Sequence, residues 1–260
     1  MTGPLVVCLA AAALYALGSR GRRRVWREVS FYAGVAAVLA VLVPPFDGWA
    51  DTSFALHMTQ HVVLLTVAPP LLVLGRPWPR LWLPFPLRVR RAVARGLAGS
   101  AAFRLAGRTV TRPPVALALM TAALAAWHVP ALYSAAVEHE SLHVLEHVTF
   151  VATALLYWGS LLEAPPVRAR IDHLHRAAWF GAALVPGWIL AIVLAFASAP
   201  LYDAYASLSH RPGGLSAIAD QQLAAGVMWV PGSLAYLIAA VVSFYRWLEP
   251  SPRAEELSWT

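Results

Sequence analysis

The stretch ALHMTQHVVLLTVAPPLLVL, residues 55–74, runs for twenty residues without an Asp, Glu, Lys or Arg. About 20 predominantly apolar residues are needed to cross the hydrocarbon core of a bilayer, so this run reads as a membrane helix. Its two histidines, His57 and His61, stand four apart, which places both imidazoles on one helix face with Cβ atoms roughly 6 Å apart. A second pair, His143 and His147, repeats that spacing at the start of another apolar run. Ionisable groups inside a membrane are costly, so two such pairs mark a functional site.

Composition points the same way. Of the 260 residues, 59% are hydrophobic and 13% charged, with a mean hydropathy of +0.61. Soluble domains carry about 25% charged residues. The expected fold class is all-α: a polytopic membrane helix bundle forming a single membrane domain over residues 1–260. Seven apolar segments can be read, at 4–17, 30–43, 55–74, 115–136, 142–162, 177–199 and 221–245. The first two are the shortest, and an amphipathic stretch at 89–106 suits the membrane surface. Cys8 is the one cysteine, so there is no internal disulfide and no thiolate metal site; it reads as a small apolar filler.

The net charge of +7 comes from arginine alone on the basic side. These arginines sit in short loops with no soluble domain between them, which excludes nucleic acid as a partner and leaves topology and acidic lipid headgroups. Arg20, Arg22, Arg23, Arg24 and Arg27 follow the first segment. Nine arginines from Arg76 to Arg112 follow the third, Arg168, Arg170 and Arg176 the fifth, and Arg246 and Arg253 the seventh. Only Arg211 falls on the other side. Positive-inside counting then gives seven transmembrane helices, N-terminus out and C-terminus in. The basic residues follow the first apolar run instead of preceding it, so that run reads as a retained span and not a signal peptide.

This orientation gathers the polar residues near the outer leaflet. His57 and His61 enter the third segment from outside, His128 lies where the fourth nears the outer surface, and His143 and His147 enter the fifth. Asp220, with Gln221 and Gln222, opens the seventh. Acidic outer loops with Asp47, Asp51, Glu138, Glu140 and Asp203 would attract cations. His139 and His210 read as surface residues, and His173 and His175 as loop histidines of the cytoplasmic side. Imidazole suits zinc, copper, iron and nickel, whereas thioether sulfur selects Cu(I). Met58 faces away from His57, and Met228 lies below Asp220; apolar packing is the simpler role for both. Asp220 equally suits the N-terminus of a helix as a cap.

Residues 139–143 also read H-E-x-x-H and 143–147 H-x-x-E-H, signatures of zinc hydrolases in which Glu140 or Glu146 would be the general base. A His- and Glu-rich segment produces such matches readily, and the first straddles a loop. Stacked haems would need two histidines half a membrane apart on a span, which no segment offers.

The stretches HMTQHVVLLTVAPPLLVLGRP (57–77), WHVPALY (127–133), HVLEHVTF (143–150) and DQQLAAGVMWVPG (220–232) resemble the CtaG family of cytochrome c oxidase assembly factors. The similarity covers about residues 55–245. It implies a bacterial cytoplasmic-membrane protein, not an enzyme, that helps form the copper-B centre of a caa-type oxidase. Its expected partners are oxidase subunit I or its assembly intermediates and an extracytoplasmic copper donor. It carries over His57, His61, His128, His143, His147 and Asp220 as metal-site residues, for copper or alternatively zinc. No Cys-x-x-x-Cys relay is present, so transfer would use His, carboxylate and Met. The alternatives are a membrane zinc hydrolase and a metal-free biogenesis scaffold.

Overall fold

The computed structural model describes residues 2–19, 24–162, 164–165 and 171–249, and among these every regular element is helical. The first half comprises α1 (Thr2–Leu17), α2 (Val25–Leu42), α3 (Phe46–Ala50) and α4 (Phe54–Val62). A π-helical turn (Val63–Val67) then leads into α5 (Ala68–Leu74), α6 (Pro77–Trp82), α7 (Leu87–Gly99) and α8 (Ala101–Val110). The second half comprises α9 (Pro113–Trp127), α10 (Pro130–Glu138), α11 (Glu140–Leu161), α12 (His173–Ala182) and α13 (Leu184–Phe196). The short α14 (Asp203–Ala206), then α15 (Ala217–Trp229) and α16 (Pro231–Leu248), complete the order.

Among the described residues, five stretches are long and apolar enough to cross a membrane: Val25–Leu42, Phe54–Leu74, Glu140–Leu161, His173–Phe196 and Ala217–Leu248. A sixth arises if α8 and α9, bent by 77°, count as one, and Gly3–Leu17 is a shorter apolar helix. All seven apolar segments are thus helical, and the chain is a helical membrane protein. The fourth segment is shorter than expected. It stops at Trp127, because Pro130 has no N–H to continue the ladder and forces Val129 into an extended conformation. The second starts earlier, at Val25. The stretch at 89–106 becomes two helices, α7 and α8, split at Ser100, whose hydroxyl caps α8; neither buries a residue. Arg20, Arg22, Arg23, Arg168, Arg170 and Arg253, used above for orientation, lie outside the described residues.

An exposed stripe of Val185, Ile189, Val193 and Phe196 runs along α13 at helical spacing. Such an apolar face is suited to lipid, with every backbone group bonded within the helix. The apolar centre lies between α9, α11, α12 and α16, around Phe150, Tyr157, Trp158 and Phe180. α1, α2 and α6 meet at Tyr15, which stacks on Phe31 and donates to the Gly75 carbonyl at 2.9 Å. Gly75 has to be glycine: a Cβ there would stand 2.6 Å from that of Phe31.

The π-turn follows from Pro69-Pro70. Neither proline has an N–H, so the Leu65 carbonyl loses its main-chain donor in both the α and the π register. The Trp158 indole N–H donates to that carbonyl instead, at 3.1 Å. This bond ties α11 to the helix that carries His57 and His61. Trp158→Phe leaves a buried carbonyl unpaired, which costs about 1–3 kcal/mol. Its melting temperature in detergent should fall below that of a Trp26→Phe control, which alters a side chain 53% exposed. Equal melting of the two variants would contradict this role.

Candidate metal centre

The site begins with the N-terminus of α4. Four N–H groups at a helix start lack partners, and a carboxylate there meets both those donors and the positive end of the dipole. Asp220, from α15, supplies it. Its Oδ2 accepts from the Phe54 N–H at 2.8 Å, and its Oδ1 accepts from the Ala55 N–H at 3.1 Å and the Ser53 hydroxyl at 2.7 Å. The next residue, Gln221, donates to the Leu194 carbonyl at 3.0 Å, near the end of α13, and accepts from the Leu201 N–H at 2.7 Å. The Asp-Gln pair therefore ties α15 to α4 and α13 together.

One and two turns below Asp220's clamp, His57 and His61 point inward, 1% and 2% exposed. His143, Glu146 and His147 come from the first two turns of α11. The ring centres of His57 and His143 are 5.1 Å apart, and those of His143 and His147 4.2 Å. His57, His143, Glu146 and His147 each offer one ligand atom, and these four atoms lie within 4.8 Å of one another. Ligand atoms at about 2.0–2.1 Å from one ion span roughly 3.3–4 Å, so a contraction of order 1 Å would close the set.

Hydrogen bonding fixes one tautomer. The Tyr205 hydroxyl lies 3.0 Å from the Ala50 carbonyl and 2.7 Å from His57 Nδ1. A carbonyl only accepts, so the single hydroxyl proton goes there and Tyr205 accepts from the Nδ1–H. His57 Nε2 is then a bare lone pair, 2.9 Å from His61 Nε2. Glu146 Oε1 lies 3.5 Å from that nitrogen. His61 Nδ1, His143 Nε2, His147 Nε2 and both Glu146 oxygens are buried without a hydrogen-bond partner. Buried polar groups are nearly always paired. The four atoms contributed by His143, His147 and Glu146 gather in one place and are chemically suited to hold a cation.

His143 is half-buried and leads towards Asp47, on α3, and Asp51, at its end. Burial, and next the Asp47 carboxylate, push the Asp51 carboxyl above its ordinary range, while His143 pulls the other way. Opposite the cluster, His61 borders a cavity of about 60 Å³ with Leu65, Met120, Leu124 and Met228.

The sequence model of the cytochrome c oxidase caa3 assembly factor family (Caa3_CtaG) matches residues 10–250. The chain belongs to this family. Uncharacterized proteins of Mycobacterium bovis and Mycobacterium tuberculosis are each 24% identical to it over 251 residues, covering 94% of the chain. The chain spans 37% of the length of these curated relatives. No solved structure matches it.

Of the residues singled out in this family member's sequence, His57, His143 and His147 converge, with His61 at their edge. His128 sits at the end of α9. Its Nδ1 bonds the Leu124 carbonyl at 2.8 Å and its ring centre is 6.0 Å from that of His61. Asp220 spends both oxygens on the α4 cap, outside the converging set. His139 and His210 are exposed, and His175 pairs with Asp172 at 2.6 Å. Of the two hydrolase-like motifs, H-x-x-E-H brings its residues together and H-E-x-x-H does not include an inward-facing His139. Glu146 and Tyr205 complete the cluster. Glu146 is already named in the H-x-x-E-H reading of residues 143–147, whereas nothing in the sequence links Tyr205 to His57.

Asp220→Ala removes three accepted hydrogen bonds, and lost N-caps cost about 0.5–2 kcal/mol each. The variant should melt at a lower temperature in detergent yet keep its full metal stoichiometry once folded. A folded Asp220→Ala protein that binds no metal would make Asp220 a ligand.

Proposed function

We propose that this family member handles copper for the copper-B centre of a caa-type oxidase, holding the ion as cargo between His57, His143, Glu146 and His147. The observation that carries this reading is the convergence of those four ligand atoms in a member of an oxidase assembly family. A buried carboxylate without a partner is costly, and a bound cation offsets that cost. The chain's own residues do the rest. Tyr205 holds His57 with its Nε2 free, Asp220 fixes the helix that carries it, and the apolar packing of α11 excludes water. When bound, copper supplies the cofactor of the client enzyme; this protein releases it to oxidase subunit I.

The proposed topology has seven membrane crossings with the site towards the extracytoplasmic face of a bacterial cytoplasmic membrane. The arginine asymmetry supports it, as does the position of Asp47 and Asp51 beside His143. Zinc is the alternative ion, since imidazole and carboxylate ligands serve both metals. Hydrolysis is the weaker reading: Glu146 is 1% exposed, and the cavity beside His61, about 60 Å³, is far below the roughly 300 Å³ at which ligand pockets begin.

The test is Glu146→Gln in cells. Weakened binding, by about 10–100-fold, should lower oxidase activity and be partly restored by added copper, because mass action offsets lost affinity. A membrane-impermeant copper chelator applied to spheroplasts should strip the wild-type site. Accumulation of an uncleaved membrane substrate without copper rescue would overturn the copper reading in favour of a hydrolase. Copper retained against the chelator would place the site on the cytoplasmic side.

A further inference from the structure

Beside the His/Glu cluster lies a second set of lone pairs that face one another. His128 Nδ1 is 2.8 Å from the Leu124 carbonyl, which can only accept, so Nδ1 carries the imidazole proton and Nε2 is bare. That Nε2 faces Met58 Sδ at 3.5 Å, and a thioether has no proton to give. Met58 is fully buried and His128 7% exposed. Two acceptors therefore meet in an apolar interior with no donor between them. His61 is their neighbour on both sides: it follows Met58 by three residues on α4, and its ring centre is 6.0 Å from that of His128. Its Nδ1 is buried and unpaired.

A separation of 3.5 Å is what two ligands span across one ion at a near-tetrahedral angle, with metal–nitrogen and metal–sulfur bonds of about 2.0 and 2.3 Å. Thioether sulfur is a soft ligand that selects Cu(I), and a neutral His/Met set without carboxylate suits a monovalent ion. We propose that Met58 and His128, with His61 as shared neighbour, form a second, soft site for Cu(I), distinct from the His/Glu cluster. His61 stands between the two, with Nε2 towards Glu146 and a second nitrogen left over. This arrangement gives copper a carboxylate-bearing position for its divalent state and a thioether-bearing one for its monovalent state. No electron transfer within the protein is required. The proposal extends the copper reading above, but it stands on separate atoms.

The test uses the full chain in lipid nanodiscs. Under anaerobic conditions Cu(I) is titrated against a chromogenic chelator, and the copper X-ray absorption spectrum is recorded on the loaded protein. The wild type should hold about one Cu(I) per chain and show a sulfur scatterer near 2.3 Å. Met58→Leu, close in volume, should lose that Cu(I) and the sulfur scatterer. His128→Asn, whose amide can still donate to the Leu124 carbonyl, should behave likewise, with an unchanged helical circular dichroism spectrum. Cu(II) binding should be the same in both variants as in the wild type. A Met58→Leu protein that keeps its Cu(I) stoichiometry, or a wild type without a sulfur scatterer, overturns the second site. A wild type that takes up Cu(I) through Met58 but binds no Cu(II) keeps this site and overturns the His/Glu one.

Discussion

One carboxylate, Asp220, sets the position of everything around the histidines. It joins residues 166 apart in sequence by accepting from the first N–H groups of α4, in surroundings from which water is excluded. A charge-assisted bond is strongest there, and it coincides with the positive end of the helix dipole. Since α4 begins at that clamp, His57 sits one turn below it and His61 two, opposite the first turns of α11. The Asp-Gln-Gln sequence is thus a joint: Asp220 holds α4, and Gln221 bonds the C-terminal end of α13.

Below the clamp the helix is not regular, and the irregularity serves the same end. Pro69-Pro70 strips the Leu65 carbonyl of its main-chain donor, the ladder slips into a π-turn, and Trp158 takes up the free carbonyl. The helix that carries His57 and His61 is thereby fastened above the cluster to α15 by Asp220 and below it to α11 by Trp158. Between the two fastenings, polar atoms are left unpaired that could have been replaced by apolar residues at lower cost. Their retention in a rigid frame is the physical case for a bound cation.

Much of this was legible in the sequence. Each apolar segment is a helix, because hydrophobic length and the lack of charge decide that locally. The i, i+4 spacing of His57/His61 and His143/His147 predicts a shared face, and His57 does meet His143 and His147. Other features depend on tertiary contacts that no local pattern encodes. The fourth segment read as continuous through His128, where Pro130 in fact ends the helix and leaves His128 at a junction, facing Met58. Met58 read as packing because it turns away from His57; turning away is what brings it to His128. Tyr205 reaches His57 from a four-residue helix, α14, that has no signature of its own. Asp220 could be read as cap or ligand from sequence, and its three accepted hydrogen bonds show the cap.

The central claim, one ion held by His57, His143, Glu146 and His147, is tested most directly by electron spin echo spectroscopy of the Cu(II)-loaded protein in membranes. The echo modulation should carry remote-nitrogen frequencies from several imidazoles, and it should weaken when His57, His143 or His147 is replaced singly, while a His175 replacement changes nothing. Bound Cu(II) without imidazole modulation, or modulation indifferent to the loss of His147, would contradict the account.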